Sequence, residues 1–147
     1  MENLTFEEIK ALPRAEGDFS FETSRFRNRD SHANFTANEL YLQVLGNGQL
    51  RVIGHSEIPQ WSSALLLYFP AGTEAGVHEI GPRKVEGVYT VQEFGVGERY
   101  TLISGSIDLD NNPTAKNCKS SHFEAIAQLE GGTRRLALSF GRFEVNA

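Results

Sequence analysis

Leu40-Tyr-Leu-Gln-Val-Leu-Gly-Asn-Gly-Gln-Leu-Arg-Val-Ile53 is the stretch on which the fold turns. Two registers compete for it. A two-residue Asn47-Gly48 turn pairs Leu45 with Leu50, Val44 with Arg51 and Gln43 with Val52, mixing polar and apolar side chains on both faces. A three-residue Gly46-Asn47-Gly48 loop pairs Leu45 with Gln49, Val44 with Leu50 and Leu42 with Val52. Leu40, Leu42, Val44, Leu50 and Val52 then share one face, and Gln43, Leu45, Gln49 and Arg51 share the other. Strand side chains alternate with period two, so a one-residue slip scrambles burial and the second register is favoured. It needs a left-handed residue at the third loop position, which Gly48 supplies without a Cβ clash.

The chain closes on a second hairpin. A two-residue Gly131-Gly132 turn pairs Ala127 with Leu136, Ala125 with Leu138 and Phe123 with Phe140. The reverse face carries Glu130 with Thr133, Gln128 with Arg135 and Glu124 with Ser139. Small residues opposite large ones on the apolar face suit packing against a second sheet.

Between and around these hairpins lie short apolar runs divided by turn residues. The expected strands are 19–27, 35–45, 49–58, 64–69, 76–80, 87–93, 99–108, 121–130 and 133–145. Ala64-Leu-Leu-Leu-Tyr-Phe69 is apolar on both faces and reads as a central strand closed by Pro70. Ahead of them, Thr5 with Glu8 forms a capping box, and Leu4 with Ile9 has the spacing of a hydrophobic staple. Leu12-Pro13 ends that helix. About two turns of helix are unstable alone in water, so Phe6 and Ile9 are expected to dock on the sheet.

The fold class expected is therefore all-β: a jelly-roll-like antiparallel sandwich of two sheets and about eight or nine strands. One domain spans 1–147, with 1–14 as a helical segment packed on it. At 147 residues the chain buries about two-thirds of its unfolded surface. Its net charge of −5 disfavours nucleic acid or anionic membrane as a partner. No apolar run is long enough to span a membrane. Met-Glu-Asn-Leu-Thr-Phe-Glu-Glu lacks the basic and apolar regions of a signal peptide, so a cytoplasmic location is expected, or export if a leader has been removed. A single cysteine, Cys118, leaves no internal disulfide and no cysteine-rich metal cluster.

From Gly48 onward the order of short motifs resembles small bacterial β-sandwich domains without assigned function, often found on lipoproteins. The matching stretches are Gly48-Gln-Leu-Arg-Val-Ile-Gly54, Ala64-Leu-Leu-Leu-Tyr-Phe-Pro-Ala-Gly72, Gly87-Val-Tyr-Thr90, Ile103-Ser-Gly-Ser-Ile107 and Leu138-Ser-Phe-Gly-Arg-Phe143. The resemblance implies a compact sandwich and transfers no catalytic residue. Such proteins often carry a leader and a lipid-attachment cysteine, and this chain, as its letters read, is expected to do without them.

Residues with chemical potential are scattered. His55 with Glu57, His78 beside Glu79 and His122 with Glu124 each offer two ligands, whereas a zinc-like ion wants three or four that converge. Solvated surface histidines are the plainer reading, and no metal or cofactor is expected. Asp108-Leu-Asp110-Asn111-Asn112 places oxygens at alternate positions as a calcium loop does. Pro113 and Lys119 stand where such a loop needs glycine and glutamate, so an Asx-rich turn explains the letters. The polar stretch from Asp108 to Ser121 is expected to be an exposed loop, with Lys116 and Lys119 flanking the Cys118 thiol.

Arg25, Arg27 and Arg29 alternate, which in an extended chain forms either a strip for anions or an acidic partner, or a charged edge strand that resists aggregation. No Gly-x-Ser-x-Gly elbow or phosphate-binding glycine loop occurs. Trp61, in Ile58-Pro-Gln-Trp-Ser-Ser63, reads equally as a contact for sugar or protein and as a cap on the core. The expectation is a non-catalytic binding module for another protein, engaged through Trp61, the 109–120 loop or an exposed strand edge, the last also allowing a homodimer. Two other classes are open: a barrel that carries a small apolar molecule, and a metal-dependent hydrolase using His55, His78 or His122.

Overall fold

The computed structural model describes residues 4–25 and 33–147. The chain begins with α1 (Phe6–Lys10), and the predicted capping box is present. Thr5 Oγ1 accepts from the Glu8 N–H at 3.1 Å, and Glu8 Oε1 accepts from the Thr5 N–H at 3.2 Å. Among the described residues ten strands follow: β1 (Glu16–Arg25), β2 (Ala33–Thr36), β3 (Glu39–Val44), β4 (Leu50–Ile58), β5 (Trp61–Phe69), β6 (Gly76–Glu79), β7 (Glu86–Glu93), β8 (Val96–Leu109), β9 (Asn117–Leu129) and β10 (Arg135–Asn146).

The all-β and antiparallel expectations hold. The division into two sheets does not appear in the strand pairing, which is continuous in the order β2-β1-β10-β9-β8-β7-β5-β4-β3, with β6 beside the far half of β8. This single sheet curls into a half-barrel. Bulges in the ladders joining β8, β9 and β10 assist the curl, because an extra residue on one strand bends it and steepens its twist. The two margins approach each other: the Ala15 N–H, just before β1, donates to the Leu40 carbonyl of β3 at 2.7 Å in an isolated antiparallel bridge. A curled sheet gives each strand the same inside and outside as two stacked sheets. Alternation of polarity therefore could not separate the two architectures.

Both hairpin registers are as read. Val44 pairs with Leu50 and Leu42 with Val52, and Gly48 takes a φ of +85°. Leu136 pairs with Ala127 and Leu138 with Ala125. Beyond them the second hairpin departs from expectation. A bulge between Leu138 and Gly141 sets Gly141, not Phe140, opposite Phe123. Phe140 has a φ of +54° and is 71% exposed instead of lying in the core. The ring of Phe123 occupies the room left by the missing side chain: a Cβ on Gly141 would stand 2.4 Å from it.

The concave face is filled by one apolar cluster containing Phe19, Phe21, Phe35, Phe123, Phe143, Tyr89 and Tyr100. Phe19 stacks on Phe143 at 5.0 Å and Phe21 on Phe35 at 4.4 Å, and edge contacts join the two pairs. A second cluster lies on the convex face, where Ile9 of α1 covers Tyr41, Ile53, Ala64, Leu66 and Tyr68, with Leu4 and Phe6 packed around it. This docking makes Ala64–Phe69 apolar on both faces and gives the short helix the tertiary support it needs.

The polar stretch after Asp108 is shorter as a loop than expected. β8 continues to Leu109 and β9 begins at Asn117, so only 110–116 connect them. Cys118 is thereby carried into the concave core, fully buried. Burial pushes its thiol up to about 12, the opposite of activation by the neighbouring lysines. Among the described residues no helix is long and apolar enough to cross a membrane.

Candidate functional site

Two hairpin tips meet at one end of the half-barrel. Ile58 of β4 pairs with Trp61 of β5, Trp61 with Glu93 of β7, and Glu93 with Val96 of β8. Directly paired residues point to the same side of a sheet, so these four form one row across four strands. Trp61 shares the parity of Leu65 and Leu67, which belong to the concave cluster, so the row continues that face to its rim.

Apolar exposure concentrates here. Ile58 is 57%, Phe94 69% and Val96 70% exposed, and Trp61 is half-buried. Trp61 opens β5 and lines a groove of about 580 Å³ together with Phe6 and Lys10 of α1 and Glu57, Gln60 and Gln92. Single exposed apolar side chains are ordinary; several side by side at a rim are not.

The backbone at these tips is strained as well. Phe94 and Gly95 both have positive φ, +50° and +79°, the pattern of a type I′ turn in which Asn-Gly is the usual pair. A bulky L-residue there costs on the order of 1–2 kcal/mol. Gln60, which follows Pro59, has a φ of +67° at a position that favours glycine or asparagine. The Phe94 N–H donates to the Gln60 carbonyl at 2.9 Å and ties the two turns together. Strain and exposed aromatic surface coincide where binding residues commonly sit.

Charge around the row is unevenly balanced. Lys10 Nζ lies 2.5 Å from Glu57 Oε1, and that hydrogen bond holds the ammonium above its ordinary pKa. Arg134 pairs with Glu98, and Arg99 with Glu130 at 3.1 Å. Glu93 is exposed and has no ion pair among the described residues.

The other sequence candidates fall elsewhere. Arg25 ends β1 in register with Leu136. Arg27 and Arg29 lie outside the described residues. β1 itself is not an edge, since β2 pairs with it over Ser20–Thr23 and β10 along its other side. Asp108 sits in β8 opposite His122. Asp110 Oδ1 accepts from the Ser121 N–H at 3.2 Å, Asn111 Oδ1 from Lys119 at 3.0 Å and Asn112 Oδ1 from Ala75 at 2.7 Å. Those oxygens serve turn backbone, as an Asx-rich connection does.

Among the described residues the three histidines do not converge. His78 Nε2 meets the Glu74 carbonyl at 2.6 Å, and His122 lies 3.9 Å from Glu124 on the exposed convex face. His55 is buried beneath Phe6, whose ring stacks on it at 5.5 Å. Its partner is not Glu57 but Glu39, directly across the β3–β4 ladder, with Nδ1 3.4 Å from Oε2. Burial raises the Glu39 carboxyl, but hydrogen bonds from Tyr41 and His55 and the charge of Arg14 outweigh it and hold the group low. Burial, then the bond to that carboxylate at 2.5 Å, pushes the Tyr41 phenol up to about 12. This trio, with Tyr41 and His55 buried and Glu39 partly buried, anchors the floor beneath α1. Among the described residues no three His, Cys, Asp or Glu side chains are grouped as metal ligands.

No known protein family, curated protein or solved structure matches the chain.

Proposed function

We propose that the protein is a non-catalytic binding module that engages another protein through the rim row Ile58-Trp61-Glu93-Val96 and the adjoining Phe94. The observation that carries this reading is the coincidence of exposed apolar side chains with strained turn backbone at two tied hairpin tips. Large rigid aromatics at such positions supply contact area at low entropic cost, and Trp is prominent among residues that dominate interfaces. Binding is favoured over carriage of an apolar molecule because aromatic side chains fill the concave face where such a ligand would sit. It is favoured over hydrolysis because the titratable groups sit apart or are committed to one another.

The test is site-specific photocrosslinking in the source cells. A benzoyl-phenylalanine at position 94 is expected to give a discrete adduct with one partner. The same probe at Val77, which is exposed but distant in the ladder, is expected to give none. Trp61→Ala should abolish the adduct at 94. Equal adducts from both positions, or none from 94, would overturn the proposal.

A further inference from the structure

The row at the rim is not uniformly apolar, and its one polar member specifies what it meets. Resting on the reading above, we propose that the partner presents a Lys or Arg side chain flanked by aliphatic residues. The order across the strands is apolar, aromatic, acidic, apolar: Ile58, Trp61, Glu93, Val96. Glu93 stands directly across from Trp61, and side chains so paired start about 5 Å apart. One cation can therefore lie over the indole face, where the ring quadrupole attracts it, and reach the carboxylate at the same time.

Among the described residues that carboxylate has no ion-pair partner. Lys10 is taken by Glu57, Arg134 by Glu98 and Arg99 by Glu130. The chain as a whole carries −5. A purely apolar partner would strip water from Glu93 and supply nothing in return, which is costly for an ionised group. An acidic partner would add repulsion. A basic residue between aliphatic ones satisfies all four members of the row at once: aliphatic groups cover Ile58 and Val96, and the cation bridges Trp61 and Glu93.

The experiment is selection from a random heptapeptide display library on the intact protein, with Trp61→Ala as counter-selection. Selected peptides are expected to carry Lys or Arg beside aliphatic residues. Their binding can be followed through the emission of Trp61, the only tryptophan in the chain. Glu93→Gln should weaken a selected peptide about threefold, Glu93→Lys about tenfold, and both effects should shrink at high salt. Selection on Glu93→Lys should turn toward Asp and Glu. Glu93 is exposed, so these variants are expected to keep the wild-type melting temperature. Apolar or acidic peptides selected in a Trp61-dependent way would overturn the basic-partner inference and leave the binding site standing. No enrichment over Trp61→Ala would overturn both.

Discussion

Gly54→Ala asks whether the half-barrel is solid. Gly54 lies on the concave face of β4, between Leu40 and Leu65 in register. A Cβ built there stands 2.8, 2.9 and 3.0 Å from three ring atoms of Phe19, closer than side chains tolerate. Phe19 has nowhere to go. It is buried, stacked on Phe143, edge-on to Phe21, Phe35 and Phe123, and its carbonyl accepts from Ala37. Overpacking of this kind costs about 1–3 kcal/mol. The stiffer unfolded chain returns about 0.4–1 kcal/mol, since no positive φ stands in the way. The net loss is about 1–2 kcal/mol, or a fall in melting temperature of about 2–8 °C for a domain of this size. Urea unfolding followed by circular dichroism measures it. Combining the change with Phe19→Leu should recover about 1 kcal/mol relative to the sum of the single changes, because the smaller side chain vacates the contested space. A neutral or stabilising Gly54→Ala would refute the packed interior and revive the carrier reading.

Three further expectations follow from the geometry. Phe94→Asn relieves about 1 kcal/mol of left-handed strain and forfeits about 1.5 kcal/mol from the covered third of the ring, so stability should stay within about 1 kcal/mol of wild type while partner capture is lost. A larger loss in a melting experiment would mean that the ring packs on something. The Cys118 thiol, raised to about 12 from 9.0, supports the fold fully below pH 9 and should lose about 1.4 kcal/mol per pH unit as pH climbs toward 12. Cys118→Ala should flatten that alkaline decline in denaturant midpoints. Glu39 is displaced in the other direction, so its contribution is present above the ordinary carboxylate range and fades as pH falls through the depressed value. Glu39→Gln should therefore flatten the acid limb of the same curve, and an unchanged limb would sink the Glu39–Tyr41–His55 assignment.

Much of the strand layout was legible because turns and alternation are local signals. Gly48 and Gly131-Gly132 announced two registers correctly, and Thr5 with Glu8 announced the helix start. What escaped depended on distant parts of the chain. The bulge that expels Phe140 shows only as a change of phase, from apolar even positions (Leu136, Leu138) to apolar odd ones (Phe143, Val145), and Phe140 hides it by continuing the even series. Cys118 and Ser120 are buried in β9 amid polar neighbours, and such small side chains do not advertise an interior. Tyr41 and Ile53 share a face with Gln43 and Arg51, and only the docking of α1 buries them. At the rim Trp61 drew notice by its rarity. Its companions Ile58, Phe94 and Val96 belong to it only through pairing between strands, which no single window of sequence displays.

The pairing of β1 with β10 imposes a schedule on synthesis. Glu16 meets Asn146, a separation of 146 − 16 = 130 positions, and that ladder runs nearly the whole length of both strands. At ribosomal speeds of roughly 5–20 residues per second, the first strand waits on the order of ten seconds for its principal neighbour. Until then the only strand laddered to β1 is the short β2. A nascent chain with that strand edge unpaired invites chaperone capture, and the step that ends this vulnerability is the arrival of the final strand.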